Sequence, residues 1–268
     1  MMVALLGSLA LAASPSDSPP APGPRVYENA VRQVGPGEVD WTDMRLVVDS
    51  RSDRTVGAWK DRRVQEQDAL DSIGPRMDAA ARRVPVTSDS TAGDLFTLGD
   101  DVGARLEEGA RSWQIEETRY HQGGGVEMSA AINLRTWLLP ALAGLATAEA
   151  PSSKVWTEEG HPTGLVIDAR GLPFQPSLVP TVTTVDDRSV VRAQLLAPAL
   201  DARAAPVVYV TDPADPRAAA RAGDAPLFAQ AVSARGAELV LAAGSRLADA
   251  PELSTLVAAR RIVVVVDP

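Results

Sequence analysis

The chain has 268 residues, 45% hydrophobic and 23% charged, proportions that suit a globular protein of one large or two modest domains. A net charge of −9 argues against a nucleic-acid partner, which would need a cationic face. The absence of cysteine excludes disulfides, thiolate metal sites and thiol nucleophiles. Only Lys60 and Lys154 among the 26 basic residues are lysine. The arginine excess fits carboxylate or phosphate recognition through a planar fork, or simply GC-rich coding. Aromatics make up 4% of the chain, so any core must be built mostly from Val, Leu, Ile and Ala.

Residues 3–13 form an apolar run ending in Ala-Leu-Ala-Ala. That length suits a signal-peptide core and falls short of the roughly 20 residues a membrane-spanning helix needs. Ala10 and Ala12 fit a small-x-small cleavage site, so residues 1–13 are expected to be removed on export. Residues 14–24 then hold five prolines in eleven positions, the start of a semi-rigid tether over 14–35.

A first domain is expected over 36–148. Residues 39–49 alternate and then close on an apolar run, as a half-buried strand would. Leu70, Ile73, Met77, Ala80 and Val84 recur at helical spacing, with charges on the opposite face. A second helical pattern carries Leu95, Leu98, Val102 and Leu106, with Ser90 and Thr91 as capping candidates. Residues 113–121 and 126–134 read as strands joined through Gly123, Gly124 and Gly125, a tight hairpin. Residues 137–148 are apolar but interrupted by Pro140, which suits a core helix or a partner-facing one.

Residues 149–162 read as a linker, and a second domain is expected over 163–268. Its strands are residues 163–171, residues 206–211, and a hairpin of 227–233 with 237–243 across Arg235-Gly236. A helix is marked by Leu247, Leu253, Leu256 and Val257. The last strand, residues 261–267, holds five consecutive β-branched residues, the pattern of a strand covered on both faces. The alternative is an exposed edge awaiting a partner. Strand, helix and strand in that order imply parallel neighbours. The fold class expected is therefore α+β (mixed α/β), an N-terminal strand-helix-strand-strand module followed by a second small α/β domain.

Chemistry-bearing motifs are scarce. There is no Gly-x-Ser-x-Gly elbow, phosphate-binding Gly-rich loop or His-Glu-x-x-His pair. The two histidines, His121 and His161, fall at a strand end and in a polar loop. The doublets Glu116/Glu117, Glu158/Glu159 and Asp186/Asp187 suggest the two carboxyls of a glycoside hydrolase. Neighbours on a strand point to opposite faces, however, so solvated surface is the plainer reading. One cluster stands out, Asp168, Arg170 and Gly171. Alternation places Asp168 and Arg170 on one strand face, to pair with each other or to bind a polar ligand or partner. No catalytic residue, cofactor or metal is expected.

With these segments in place, Gly37-Glu38-Val39-Asp40-Trp41, the charged helix after it and the hairpin over 113–134 resemble an outer-membrane lipoprotein family, the flagellar basal-disc FlgP-like proteins. The stretch 163–172 (TGLVIDARGL), Pro176 and Pro180, residues 223–227 and the closing strand resemble longer envelope proteins associated with that family. The resemblance implies a compact module that oligomerises at the outer membrane, with envelope proteins or further copies as partners and, by family analogy, a flagellar accessory role. Ser14 stands where the family carries its lipidated cysteine, and a hydroxyl cannot form the thioether. The expectation is an exported, non-enzymatic protein, periplasmic or peripherally associated with the outer membrane and without a transmembrane span. The alternative is a periplasmic module that binds a glycan or other ligand.

Overall fold

In a computed structural model, the residues described are 26–52, 62–97, 100–122, 125–143, 161–191, 205–242, 255–257 and 259–268. The expected signal peptide, most of the tether, the linker up to residue 160, Glu158/Glu159 and most of the helix around Leu247 lie outside them. The fold is mixed α+β with two sheets, the second in the C-terminal part.

The first sheet is antiparallel throughout, in the order β1-β2-β3-β5-β4. Its strands are β1 (Val31–Val34), β2 (Gly37–Asp40), β3 (Arg45–Arg51), β4 (Gln114–Tyr120) and β5 (Val126–Asn133). The strand expected over 39–49 is instead a hairpin, β2 turning into β3. Asp40 Oδ1 accepts from the backbone N–H of Thr42 and of Asp43, both at 3.0 Å, and Met44 sits at φ 58°, so the chain reverses at once. Leu46, Val48 and Ser50 of β3 face α1 (Arg62–Ala81), which buries Ala69, Ile73, Met77 and Ala80. These last are four helix positions at spacings of three and four, on one stripe. Val84 is buried too, beyond the helix end.

The expected second helix is divided into α2 (Ala92–Leu95) and α3 (Asp100–Ala110). Asp94 accepts from both the backbone N–H and the hydroxyl of Thr91, closing the start of α2. α4 (Leu134–Ala143) is a core helix. Leu134, Trp137, Leu138 and Leu139 are buried, and the Trp137 indole donates to the Leu106 carbonyl at 2.8 Å. Among the described residues no helix is long and apolar enough to cross a membrane.

The second sheet runs β8-β7-β11-β10-β6-β12-β9. It comprises β6 (Leu165–Asp168), β7 (Thr181–Thr184), β8 (Ser189–Val191), β9 (Val208–Val210), β10 (Leu227–Arg235), β11 (Glu238–Leu241) and β12 (Ile262–Val265). The hairpin across Arg235-Gly236 is present, with Gly236 at φ 57°. The strands β10, β6, β12 and β9 are mutually parallel. β12 is interior, between β6 and β9, so it is no waiting edge, and its neighbours are not the β11 that precedes it in sequence. Ile262 to Val265 are all fully buried.

One face of this parallel block packs against α5 (Pro216–Ala222), through Ala218 and Ala222 on Val166, Val210, Val263 and Val265. The helix approaches so closely that a Cβ on Gly164 would lie 2.4 Å from the Ala222 carbonyl oxygen. The other face, with Leu165, Ile167, Tyr209, Ile262 and Val264, belongs to the same hydrophobic cluster as the first sheet's core. Backbone bonds cross the junction, from Leu178 N–H to Pro85 O at 3.0 Å and from Val179 N–H to Val86 O at 2.8 Å. Arg217 bridges it as well, reaching Asp215 on its own helix start and Asn29 Oδ1 at 2.9 Å.

Candidate functional site

In open sheets with parallel strands, ligands gather outside the carboxyl ends of those strands. Here three parallel strands, β6, β9 and β12, each carry an aspartate at or within two residues of their carboxyl end: Asp168 closes β6, Asp212 follows β9 and Asp267 follows β12. The expected cluster Asp168, Arg170 and Gly171 lies at this end.

The expected pair forms. Arg170 Nε donates to Asp168 Oδ1 at 2.9 Å and Nη2 to Oδ2 at 2.6 Å, a two-pronged contact, while the Arg170 backbone N–H bonds Oδ1 at 3.1 Å. Gly171, at φ 76°, lets the chain turn back so that its N–H donates to Asp267 Oδ2 at 2.9 Å. Only glycine adopts that conformation without strain. Arg32 of β1 donates to the Asp267 carbonyl at 2.7 Å, and Thr211 to the Glu28 carbonyl at 2.7 Å, so the N-terminal segment is stitched onto the strand ends. Arg32, Asp212 and Asp267 were not singled out from sequence. The aspartates had a legible signal, an acid just after each apolar strand; Arg32 had none.

The electrostatics follow the geometry. The Arg170 guanidinium holds the Asp168 carboxyl below its ordinary value of 3.8, against a smaller opposing push from burial. Asp168 in turn raises Arg170, with help from Asp212 and Asp267. A carboxyl depressed in the folded state adds stability above its unfolded value and loses it as pH falls toward the folded value. Thermal midpoints should therefore show Asp168→Asn less stable than wild type near neutral pH, with the gap closing below about pH 4. A gap unchanged by acid would refute the pairing.

Of the carboxylate doublets, Glu116 and Glu117 are engaged by arginines. Glu116 bonds Arg45, and Glu117 takes both prongs of Arg119. His121 lies at the β4–β5 hairpin end, 3.0 Å from Glu127 Oε2. Asp186 and Asp187 form the exposed turn between β7 and β8. Among the described residues no three His, Asp or Glu side chains converge as a metal would require.

No curated protein matches the chain. Residues 164–268, the segment that builds the second sheet, match the family model described as Treponema pallidum Tp0624, second domain.

Proposed function

We propose that the chain is an exported, non-enzymatic cell-envelope protein with a structural or assembly role at the periplasm or outer membrane, working by self-association. A motility accessory role is the finer form of this reading and rests on the FlgP-like resemblance. The observation that carries the assembly reading is the edge of the first sheet at β4, beyond which no strand lies among the described residues. β4 is last in its order, and six of its seven residues are exposed, including Ile115 and Tyr120. A strand edge offers a row of unpaired backbone donors and acceptors to another strand.

Charge is the usual guard on such an edge, and here the charges are compatible with a second copy. A bulge between Ile115 and Glu117 leaves 117–120 as the regular stretch. If two β4 strands pair antiparallel about Thr118, each Glu117 faces the other copy's Arg119, and opposite charges facing across strands are favourable. The non-enzymatic part of the reading is supported by Asp168, whose two oxygens are spent on Arg170.

The test is made in the cell. A photo-cross-linking residue is placed at position 118 of a chain fused to a reporter active only outside the cytoplasm. The expected result is reporter activity together with a self-adduct in the envelope fraction. An inactive reporter, with the intact fusion retained in the cytoplasm, would overturn export, and export without any self-adduct would overturn self-assembly.

A further inference from the structure

A cleft of about 260 Å³ opens where the first sheet's outer strand meets the loop before β7, lined by residues from both. Its walls include Val34, Trp41, Pro85 and Pro176, which are apolar, and Arg32, Gln33, Arg83 and Gln175, which donate hydrogen bonds. No aspartate or glutamate lines it. The protein's net charge is −9, so a pocket whose charged lining is arginine alone runs against the composition of the chain.

Two groups in the lining lack a protein partner among the described residues, Arg83 at the surface and the buried Trp41 indole. The Arg83 guanidinium has no hydrogen-bond or ion-pair partner among the described residues, and its stem lies over Gly35, where a Cβ would sit 2.8 Å from Arg83 Cδ. Trp41 is 1% exposed, and its indole N–H is buried with no acceptor. Buried indole N–H groups ordinarily find a partner, and one without calls for an explanation. Arg32, by contrast, is fixed by the carbonyls of Val31 and Asp267 and contributes a positioned positive charge.

We propose that this cleft binds a small carboxylate that carries a short apolar body. A planar carboxylate accepts two parallel bonds from a free guanidinium fork. Its charge is met by two arginines, and its apolar part by Pro85 and Pro176. The volume lies below the roughly 300–1,000 Å³ of pockets for drug-sized molecules. The occupant is therefore a small organic acid or the carboxyl end of a chain, two sources of one chemistry.

Isothermal titration of the full chain with N-acetyl-Ala-Ala, its C-terminal amide, propionate and inorganic phosphate tests this. The expected result is saturable binding of at least one carboxylate, weakened by about tenfold or more in Arg83→Ala and in the amide. Arg83→Lys, which keeps the charge but loses the fork, is expected to fall between wild type and Arg83→Ala. Arg83 is exposed, so Arg83→Ala should melt as wild type does. Tighter binding of the peptide identifies a chain terminus, and tighter binding of propionate a free acid. Absence of saturable carboxylate binding, equal binding by Arg83→Ala or by the amide, or phosphate binding as tightly as the carboxylates would each overturn the proposal.

Discussion

Deleting residues 261–268 is expected to abolish the cooperative thermal transition of the whole protein, not of its C-terminal part alone. Ile262 to Val265 are fully buried and Val266 nearly so. Burying such a side chain is worth roughly 1.5–3 kcal/mol, against a net stability of about 5–15 kcal/mol for a typical fold. β12 also separates β6 from β9, so its loss leaves two strand edges unpaired in the middle of the sheet. Ile262, Val264 and Val266 share one hydrophobic cluster with Leu46, Ile73 and Trp137 of the first sheet and its helices, which is why the damage should spread. A milder variant, Val264→Ala, should lower stability by on the order of 2 kcal/mol while keeping a single transition. If the truncated chain kept a wild-type melt, β12 would not be core.

The second large effect is expected at Tyr209. Its ring is fully buried, edge-on to Trp41 with centroids 5.7 Å apart and tilted against Phe174 at 6.2 Å. Trp41 comes from the turn after β2 and Tyr209 from β9, so this pair joins the two sheets. The hydroxyl donates to the Ser177 carbonyl at 2.7 Å and accepts from the Ser177 N–H at 3.3 Å. Burial pushes the phenol well above the usual tyrosine range, so it stays neutral. Tyr209→Phe keeps the ring and strands both Ser177 groups away from water, at a cost of about 1–3 kcal/mol. Tyr209→Ala also opens a cavity at the junction and should cost about 3–5 kcal/mol. For a chain of this length each kcal/mol is roughly 2–4 °C in midpoint. Calorimetry that ranked the two variants equally would show that the ring contributes nothing beyond its hydroxyl.

Local pattern was readable from the sequence and long-range order was not. The hairpins β4–β5 and β10–β11 follow from alternation around glycines. The buried stripe of α1 follows from helical spacing, and the burial of β12 from its unbroken β-branched run. The same kind of reasoning placed Asp168 and Arg170 together. The pattern reads β2 and β3 as one strand, because alternation runs from Val39 to Thr42 and an apolar run follows. The break in alternation at Thr42-Asp43 marks the turn that Asp40 makes through its own side chain. β7 and β8 leave a weak signal because their half-buried positions are Thr and Ser rather than charges, and Asp187, at φ 57°, makes the turn between them.

α5 has almost no apolar periodicity, being mostly alanine and arginine. Its signals were Asp215, whose side chain accepts from the Arg217 N–H, and Pro216 in the first turn. Which strand neighbours which is a different matter. Periodicity reports burial, and burial says nothing of sheet order, so β12 beside β6 and β9 could not be read. For the same reason the cleft around Arg83 was not foreseen, since its lining is drawn from segments far apart in the chain.

The assembly reading is tested most directly by sedimentation equilibrium of the purified full chain with a charge swap across the β4 edge. Wild type is expected to form a dimer at concentrations where Glu117→Arg, which sets arginine against arginine, remains monomeric. The double variant Glu117→Arg/Arg119→Glu restores opposite charges in the same register and is expected to dimerise again. A wild type that stays monomeric at every concentration, or three proteins that sediment alike, would contradict the account.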